Sequence, residues 1–427
     1  MTKQGWNRLA LGRRKFLGLS AGMAAAATFP ARAAQSAAAP DDPSPQIEPF
    51  WGAHQAGILT PAQKHAVFAA FDLTTDKRGK VAGLLRRWTI AGSHLSLGRP
   101  VDVPGDGEYE AASDPADVAT LSPSRLTVTV GFGASLFTRD GRDRYGLGAQ
   151  RPEALVDLPD FAGDRLEPAR TGGDVIVQVC ADDPQVAFHA IRQLTGIAHG
   201  VAAIRWMQNG FVSDFGAGQS PRNLMGFKDG SGNPHRDDPQ EMDRVAWVGE
   251  EGPAWMRGGT YQVIRRVRMA LEKWDRTKLA EQEATFGRRK YSGAPFGQAD
   301  EFDPIDLSAR DPNGDPVVPK NAHIRIAHQA ALDGARVLRR SYSYSDGANV
   351  TTEPWPPFRQ AMEFDAGLIF VCFQRDPRNG FIKIYDRLSR SDRLGEFAVH
   401  TGGGMFACPP GAARGEYIGQ RLLEAGA

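Results

Sequence analysis

Gly226-Phe227-Lys228-Asp229-Gly230-Ser231-Gly232-Asn233-Pro234 is the densest polar, glycine-rich stretch of the chain. Its glycines permit positive φ and let backbone approach a flat ligand or a phosphate closely. An aspartate among them is held in a fixed direction. The same composition also suits a surface turn with an Asx cap. A second segment, Ala322-His323-Ile324-Arg325-Ile326, sets one imidazole between apolar neighbours. Such a histidine is either a hydrogen-bonded core residue or the single protein ligand of a haem iron. A third, Val337–Tyr344, carries two adjacent arginines on a strand-like run. Side chains alternate across a strand. Arg339 therefore shares a face with Val337, Ser341 and Ser343, and Arg340 one with Leu338, Tyr342 and Tyr344. Only one of the two can face a given pocket; the other reading is a surface pair of charges.

Elements must hold these groups, and the chain is long enough to supply them. At roughly 100–200 residues per domain, 427 residues favour two or three domains, or two halves of one body. Apolar residues at 41% and charged residues at 24% exclude wholesale disorder. The formal charge of +1 gives no electrostatic case for nucleic acid. The first 33 residues hold six basic residues and no acidic one, so the remainder is mildly acidic, which argues further against nucleic acid or an anionic membrane. Cys180, Cys372 and Cys408 form neither a disulfide framework nor a C-x-x-C zinc pattern and read as small buried hydrophobes.

Residues 1–33 read as an export signal. Arg13-Arg14-Lys15-Phe16-Leu17 is a twin-arginine pattern, Leu17–Phe29 a short apolar region and Ala31-Arg32-Ala33 a cleavage site. The apolar run is too short to span a bilayer, and no longer one follows, so no stable membrane span is expected. The twin-arginine route carries folded cargo, which suggests a prosthetic group inserted before export to the periplasm. Residues 34–46 are rich in Ala, Pro, Asp and Ser and read as a linker.

The body shows an internal likeness. Val175–Leu194 and Leu368–Leu388 each run from an apolar strand through Asp-Pro into an amphipathic segment, Asp183-Pro184 falling on Asp376-Pro377 at an offset of 193 residues. Asp can cap and Pro can open a helix. Further strand candidates are His65–Leu73, Leu126–Phe137, Thr260–Leu271, Val337–Ser345 and Leu368–Gln374. Helix candidates are Thr60–Phe71, Pro184–Leu194 and Thr277–Gly287. The interleaving predicts an α+β fold, with helices on the faces of duplicated antiparallel sheets. No G-x-G-x-x-G opens a helix after a strand, and no phosphate-binding P-loop is present. The halves are placed at 47–215 and 216–427.

Together these segments resemble the dye-decolorising peroxidase family, and within it the twin-arginine-exported deferrochelatase/peroxidase (EfeB-like) subgroup. Gly226–Gly230 matches the G-x-x-D-G hallmark and Phe50–Ile58 the opening F-x-G-x-H-Q-x-G-I. His323–Arg325 matches the His-Ile-Arg motif, Leu338–Tyr344 the L-R-R-x-Y-S-Y strand, and Leu368–Gln374 and Thr401–Pro410 the closing segments. The resemblance implies two ferredoxin-like halves, with one haem b per chain in the C-terminal half. It implies His323 as proximal iron ligand, Asp229 as distal acid–base residue and Arg339 as distal arginine. Gly230, Ser231, Gly232 and Lys290 fall near haem-contacting positions. His328-Gln329 stands where the family often has Asn-Pro, which adds His328 to the cofactor-side candidates.

The resemblance also implies hydrogen peroxide and a reducing substrate, a dye or phenol, as reactants. Asp229 would move a proton from the near to the far peroxide oxygen, and Arg339 would stabilise the charge that develops. An acidic activity optimum follows from a carboxylate in that role. Tyr342, Tyr344 and Trp274 are candidates for surface relays of electron holes. Release of iron from haem with the porphyrin intact is a second reading, and non-catalytic haem or iron carriage a third. Homo-oligomerisation, as a dimer, and components of a periplasmic iron-uptake system as partners belong to the same set of expectations.

Overall fold

The computed structural model describes residues 47–101, 114–213, 215, 218–352 and 360–425. The export signal and linker expected at 1–33 and 34–46 lie outside the described residues. Four strands come first: β1 (His65–Leu73), β2 (Thr127–Gly133), β3 (Val175–Ala181) and β4 (Ala202–Phe211). They lie in the order β4-β1-β3-β2, every neighbour antiparallel. The second set is β5 (Thr260–Met269), the broken strand β6 (Leu338–Arg339) and β7 (Tyr342–Thr352), then β8 (Gln360–Gln374) and β9 (Ala398–Cys408). Its order is β9-β5-β8-β7, the same ferredoxin-like order as the first. The chain is thus an α+β protein of two ferredoxin-like halves.

The two sheets join at both ends. β2 pairs with β9 through Phe132 and Gly133, and β4 pairs with β7 through Phe211 and Ser343. β5 also pairs with β8, so the nine strands close on themselves. Closure removes the exposed edges that an open sheet would present. The short β2–β9 seam is reinforced by a side chain. Gln55 donates to the carbonyls of Val130 and Pro409 and accepts from the Val130 N–H. That is the structural use of the opening motif. His54 sits beside it, its Nδ1 2.7 Å from Gly258 O and its ring stacked on Trp247.

The strands sort their side chains as a period of two requires. Ala66, Phe68 and Ala70 of β1, Ile176 and Cys180 of β3, and Ile369, Val371 and Phe373 of β8 pack into one core. Val67, Ala69 and Phe71 face the other way, with α1 (Arg78–Leu95) and α2 (Pro184–Ala198). Val186, Ala187, Ala190, Ile191 and Leu194 of α2 are buried as its spacing predicts, and Asp183 caps it at the N–H groups of Gln185 and Val186. All three cysteines are free and buried. Among the described residues no helix is long and apolar enough to cross a membrane.

Three expectations change. Thr60–Phe71 is not a helix, because His65–Leu73 forms β1, buried on both faces. A short apolar run of that kind has no period to separate the two states. At the second Asp-Pro the helix starts late. Asp376 Oδ1 accepts from Arg378 N–H within a turn, and α3 (Phe381–Ser391) begins only after Gly380. Tyr342, Tyr344 and Trp274 are not surface groups; each is at most 1% exposed. Trp274 donates its indole N–H to Met225 O.

Candidate active site

The glycine-rich segment is anchored from several sides before it reaches the site. Asp229 N–H donates to Pro221 O. Phe227 is buried and stacks on Phe286 at 4.1 Å between ring centres, with Trp274 edge-on to both. Ser231 Oγ donates to Glu301 Oε1 at 2.7 Å, and Lys228 Nζ lies 3.4 Å from Glu301 Oε2. Gly230 has φ +105°, a value that a side chain would strain, so the backbone can turn directly after Asp229.

Burial works to raise Glu301, but Ser220, Ser231 and Lys228 outweigh it and hold the carboxyl below its ordinary value. A lowered carboxylate contributes stability above its unfolded pKa and loses it as pH falls through the folded one. Parent protein should therefore lose this contribution below about pH 4.5. Glu301→Gln should cost about 1.5–3 kcal/mol at pH 7 and show a shallower loss on acidification. Denaturant unfolding at pH 7 and at pH 4 measures both; equal acid sensitivity in parent and variant would contradict the assignment.

Arg339 stands on β6, paired with Cys372 of β8. Its guanidinium forms an ion pair with Asp229, Nη2 donating to Oδ1, and lies 5.6 Å from the centre of the Phe370 ring. Its Nε is buried and has no hydrogen-bond partner among the described residues. Burial lowers the group to about 10, which leaves it cationic at neutral pH. Arg340 turns into the barrel and donates to Thr60 O and Gln63 Oε1. The alternation read from the sequence thus separates the two arginines, and Arg339 is the one at the cavity.

His323 opens the short helix Ala322 leads into, His323–Ile326. Its Nδ1 lies 2.5 Å from Asp392 Oδ2. Asp392 is 6% exposed and is itself held by Leu394 N–H, which donates to Oδ1. Burial alone would lower the imidazole, but the Asp392 carboxylate overcomes it and raises the ring above the ordinary histidine value. A carboxylate accepts, so the neutral ring carries its proton on Nδ1 and keeps a lone pair on Nε2. His328 differs. Its Nδ1 accepts from Ala330 N–H, and burial lowers its pKa. A neutral ring so bonded has its remaining proton on Nε2 and no free lone pair to offer an ion.

Asp229, Arg339 and His323 line one cavity of about 770 Å3, with Gly230, Ser231, Gly232, Asn233 and His328. Val267, Met269, Phe286, Leu368 and Phe370 give it apolar walls. Lys290 does not line it. The Lys290 ammonium lies 5.7 Å from the Phe227 ring centre and donates to Gln282 Oε1. Two residues beyond the sequence expectation take part: Asp392, for which no local signal exists 69 positions from its histidine, and Asn233, which was visible only as part of the glycine-rich run.

The residues present fit a haem. A tethered imidazole with Nε2 free is the donor such a group needs. The walls suit a large apolar ring, and the volume lies within the range of roughly 300–1,000 Å3 typical of ligand pockets. An ion pair with an unpartnered buried guanidinium nitrogen supplies polar groups on the same cavity.

A closed pair of ferredoxin-like halves carrying these groups has the parts of an oxidoreductase built around a prosthetic group. The chain belongs to the Dyp-type peroxidase family, whose N-terminal region matches residues 55–212 and whose C-terminal region matches residues 220–413. A deferrochelatase of Escherichia coli (strain K12) is 35% identical over 425 residues, covering 96% of each chain. A dye-decolorizing peroxidase of Thermobifida fusca (strain YX) is 38% identical over 387 residues, 87% of this chain and 84% of its own. An oxyferrous complex of DtpA from Streptomyces lividans has a TM-score of 0.79 at 42% identity, covering 88% of this chain and 97% of its own.

Proposed function

We propose that the protein is a haem-dependent peroxidase that reduces hydrogen peroxide and oxidises dyes or phenolic donors. The observation that carries this reading is the Asp229–Arg339 ion pair on the same cavity as a carboxylate-tethered imidazole. His323 would hold one haem b per chain through Nε2. The haem, when bound, supplies the redox centre that peroxide oxidises and the donor reduces. Hydrogen peroxide takes up two electrons and two protons to give two waters, the electrons coming from the donor.

Asp229 accepts a proton from one peroxide oxygen and returns it to the other, directly or through one water. For this it must leave the guanidinium partly free, since an oxygen bonded to Arg339 is a weaker base. Arg339 stabilises negative charge on the departing oxygen, in a site where burial strengthens each electrostatic contact. Asp392 keeps the His323 proton on Nδ1. Peroxide-dependent oxidation of a dye by haem-loaded protein tests the reading directly.

The deferrochelatase relative supports a second activity, removal of iron from haem with the porphyrin left whole. Incubation with haem distinguishes the two: free protoporphyrin marks iron release, and oxidised donor marks peroxidase turnover. A twin-arginine route to the periplasm, a domain division near residue 215, and a dimer belong to the same proposal.

A further inference from the structure

Asn233 is not one of the groups to which the proposed chemistry gives a task, yet its side chain makes two reciprocal bonds to the backbone of Arg339. Nδ2 donates to Arg339 O at 2.9 Å, and Arg339 N–H donates to Oδ1 at 3.0 Å. Only this orientation of the amide satisfies both groups. The position explains the need. β6 is two residues long, and β4 meets the neighbouring β7 at a single pair, Phe211 with Ser343. On one edge Arg339 pairs with Cys372 of β8. On the other edge Asn233 takes the place of a missing strand.

Asn233 also belongs to the loop that carries Asp229. Its backbone N–H donates to Gly230 O, closing a turn one residue after the aspartate. A single residue thus fastens the carboxylate loop to the backbone of the arginine strand. Its two clamp bonds fix the register between Asp229 and Arg339.

We infer that Asn233 is a positioning residue for the peroxide step, setting the relative placement of the Asp229 carboxylate and the Arg339 guanidinium. This inference rests on the peroxidase reading. Loss of an outer-shell partner typically costs about 10–100-fold, and a misplacement of about 1 Å can cost as much.

The test uses haem-loaded parent, Asn233→Ala, Arg339→Leu and the double variant. Stopped-flow absorption gives the second-order rate with hydrogen peroxide, and the haem-to-protein ratio is measured alongside. Asn233→Ala should react about 10–100-fold more slowly with its haem content unchanged. In the Arg339→Leu background the same change should have little further effect, because the guanidinium it places is gone. A role in folding alone would lower haem content, or slow the Arg339→Leu protein by the same factor as the parent; either result overturns the inference.

Asn233→Asp keeps the size and the acceptor for Arg339 N–H but has no amide donor for Arg339 O. Its rate should fall between those of parent and Asn233→Ala, and it serves as the test if the alanine variant does not fold. A parental rate in Asn233→Asp and in any folded Asn233→Ala overturns the inference while leaving the peroxidase reading in place. A parental rate in Arg339→Leu removes the role of Arg339 and the positioning role with it, whereas haem-loaded parent that does not react with hydrogen peroxide overturns the peroxidase reading itself.

Discussion

Asp229→Ala should react with hydrogen peroxide about 10²–10⁴ times more slowly than the parent protein, the range for loss of a positioned acid–base group. The variant should keep its haem. Asp229 is on a loop held by Pro221 O, the Phe227 aromatic layer and the Ser231–Glu301 bond, and none of these passes through its carboxylate. Arg339→Leu should show a loss of about 10²–10³, the usual effect of removing one preorganised donor from developing charge. The two losses should not add. Each variant leaves the partner of a partly buried ion pair unmatched, and groups that act as a unit are strongly non-additive. Stopped-flow spectra of both single variants and the double variant measure this. Parental rates in both single variants would remove the proposed roles.

The second large effect lies on the other side of the cavity. His323→Ala deletes the imidazole that Asp392 tethers through Nδ1, whereas His328 Nδ1 is engaged by Ala330 N–H. Haem retention should fall by more than the roughly 10–100-fold that loss of an outer partner costs. Asp392→Ala should fall within that smaller range, because it frees the ring to change tautomer but leaves the ligand in place. Haem transfer to an apo-acceptor protein measures both. If His328→Ala lost haem and His323→Ala kept it, the assignment would be reversed.

The site was more legible in the sequence than the elements that frame it. Asp229, His323 and Arg339 each sit in a local motif, and strand alternation alone divides Arg339 from Arg340. The partner of His323 was not legible, because Asp392 reaches it from beyond the end of α3 through tertiary contact. Lys290 sits close in sequence to the cavity wall at Phe286, yet its ammonium is held at Gln282 and Phe227, neither of which lines the cavity. The tyrosines of β7 looked like relay groups because a strand can face solvent; closure of the sheet turns Tyr342 and Tyr344 inward.

The frame shows the same division. The repeat of strand, Asp-Pro and amphipathic segment did reflect two halves of one topology. Its residue-by-residue match did not hold, since Phe188 is 48% exposed while Phe381, its counterpart by offset, is 3% exposed. α1 carries a stripe at helical spacing, Val81, Leu84, Leu85, Trp88 and Ala91, all buried, a helix outside the sequence expectation. Pairing of β2 with β9 rests on two residue pairs and the Gln55 bonds, which no local pattern announces.

The absorption spectrum of purified, haem-loaded protein, recorded before and after one equivalent of hydrogen peroxide and alongside His323→Ala, bears most directly on the whole account. The parent should show an intense porphyrin band that shifts within the mixing time, and the alanine variant should lack the parental band. A parent spectrum untouched by peroxide, or an identical band and response in the variant, would mean that this cavity does not hold its cofactor through His323.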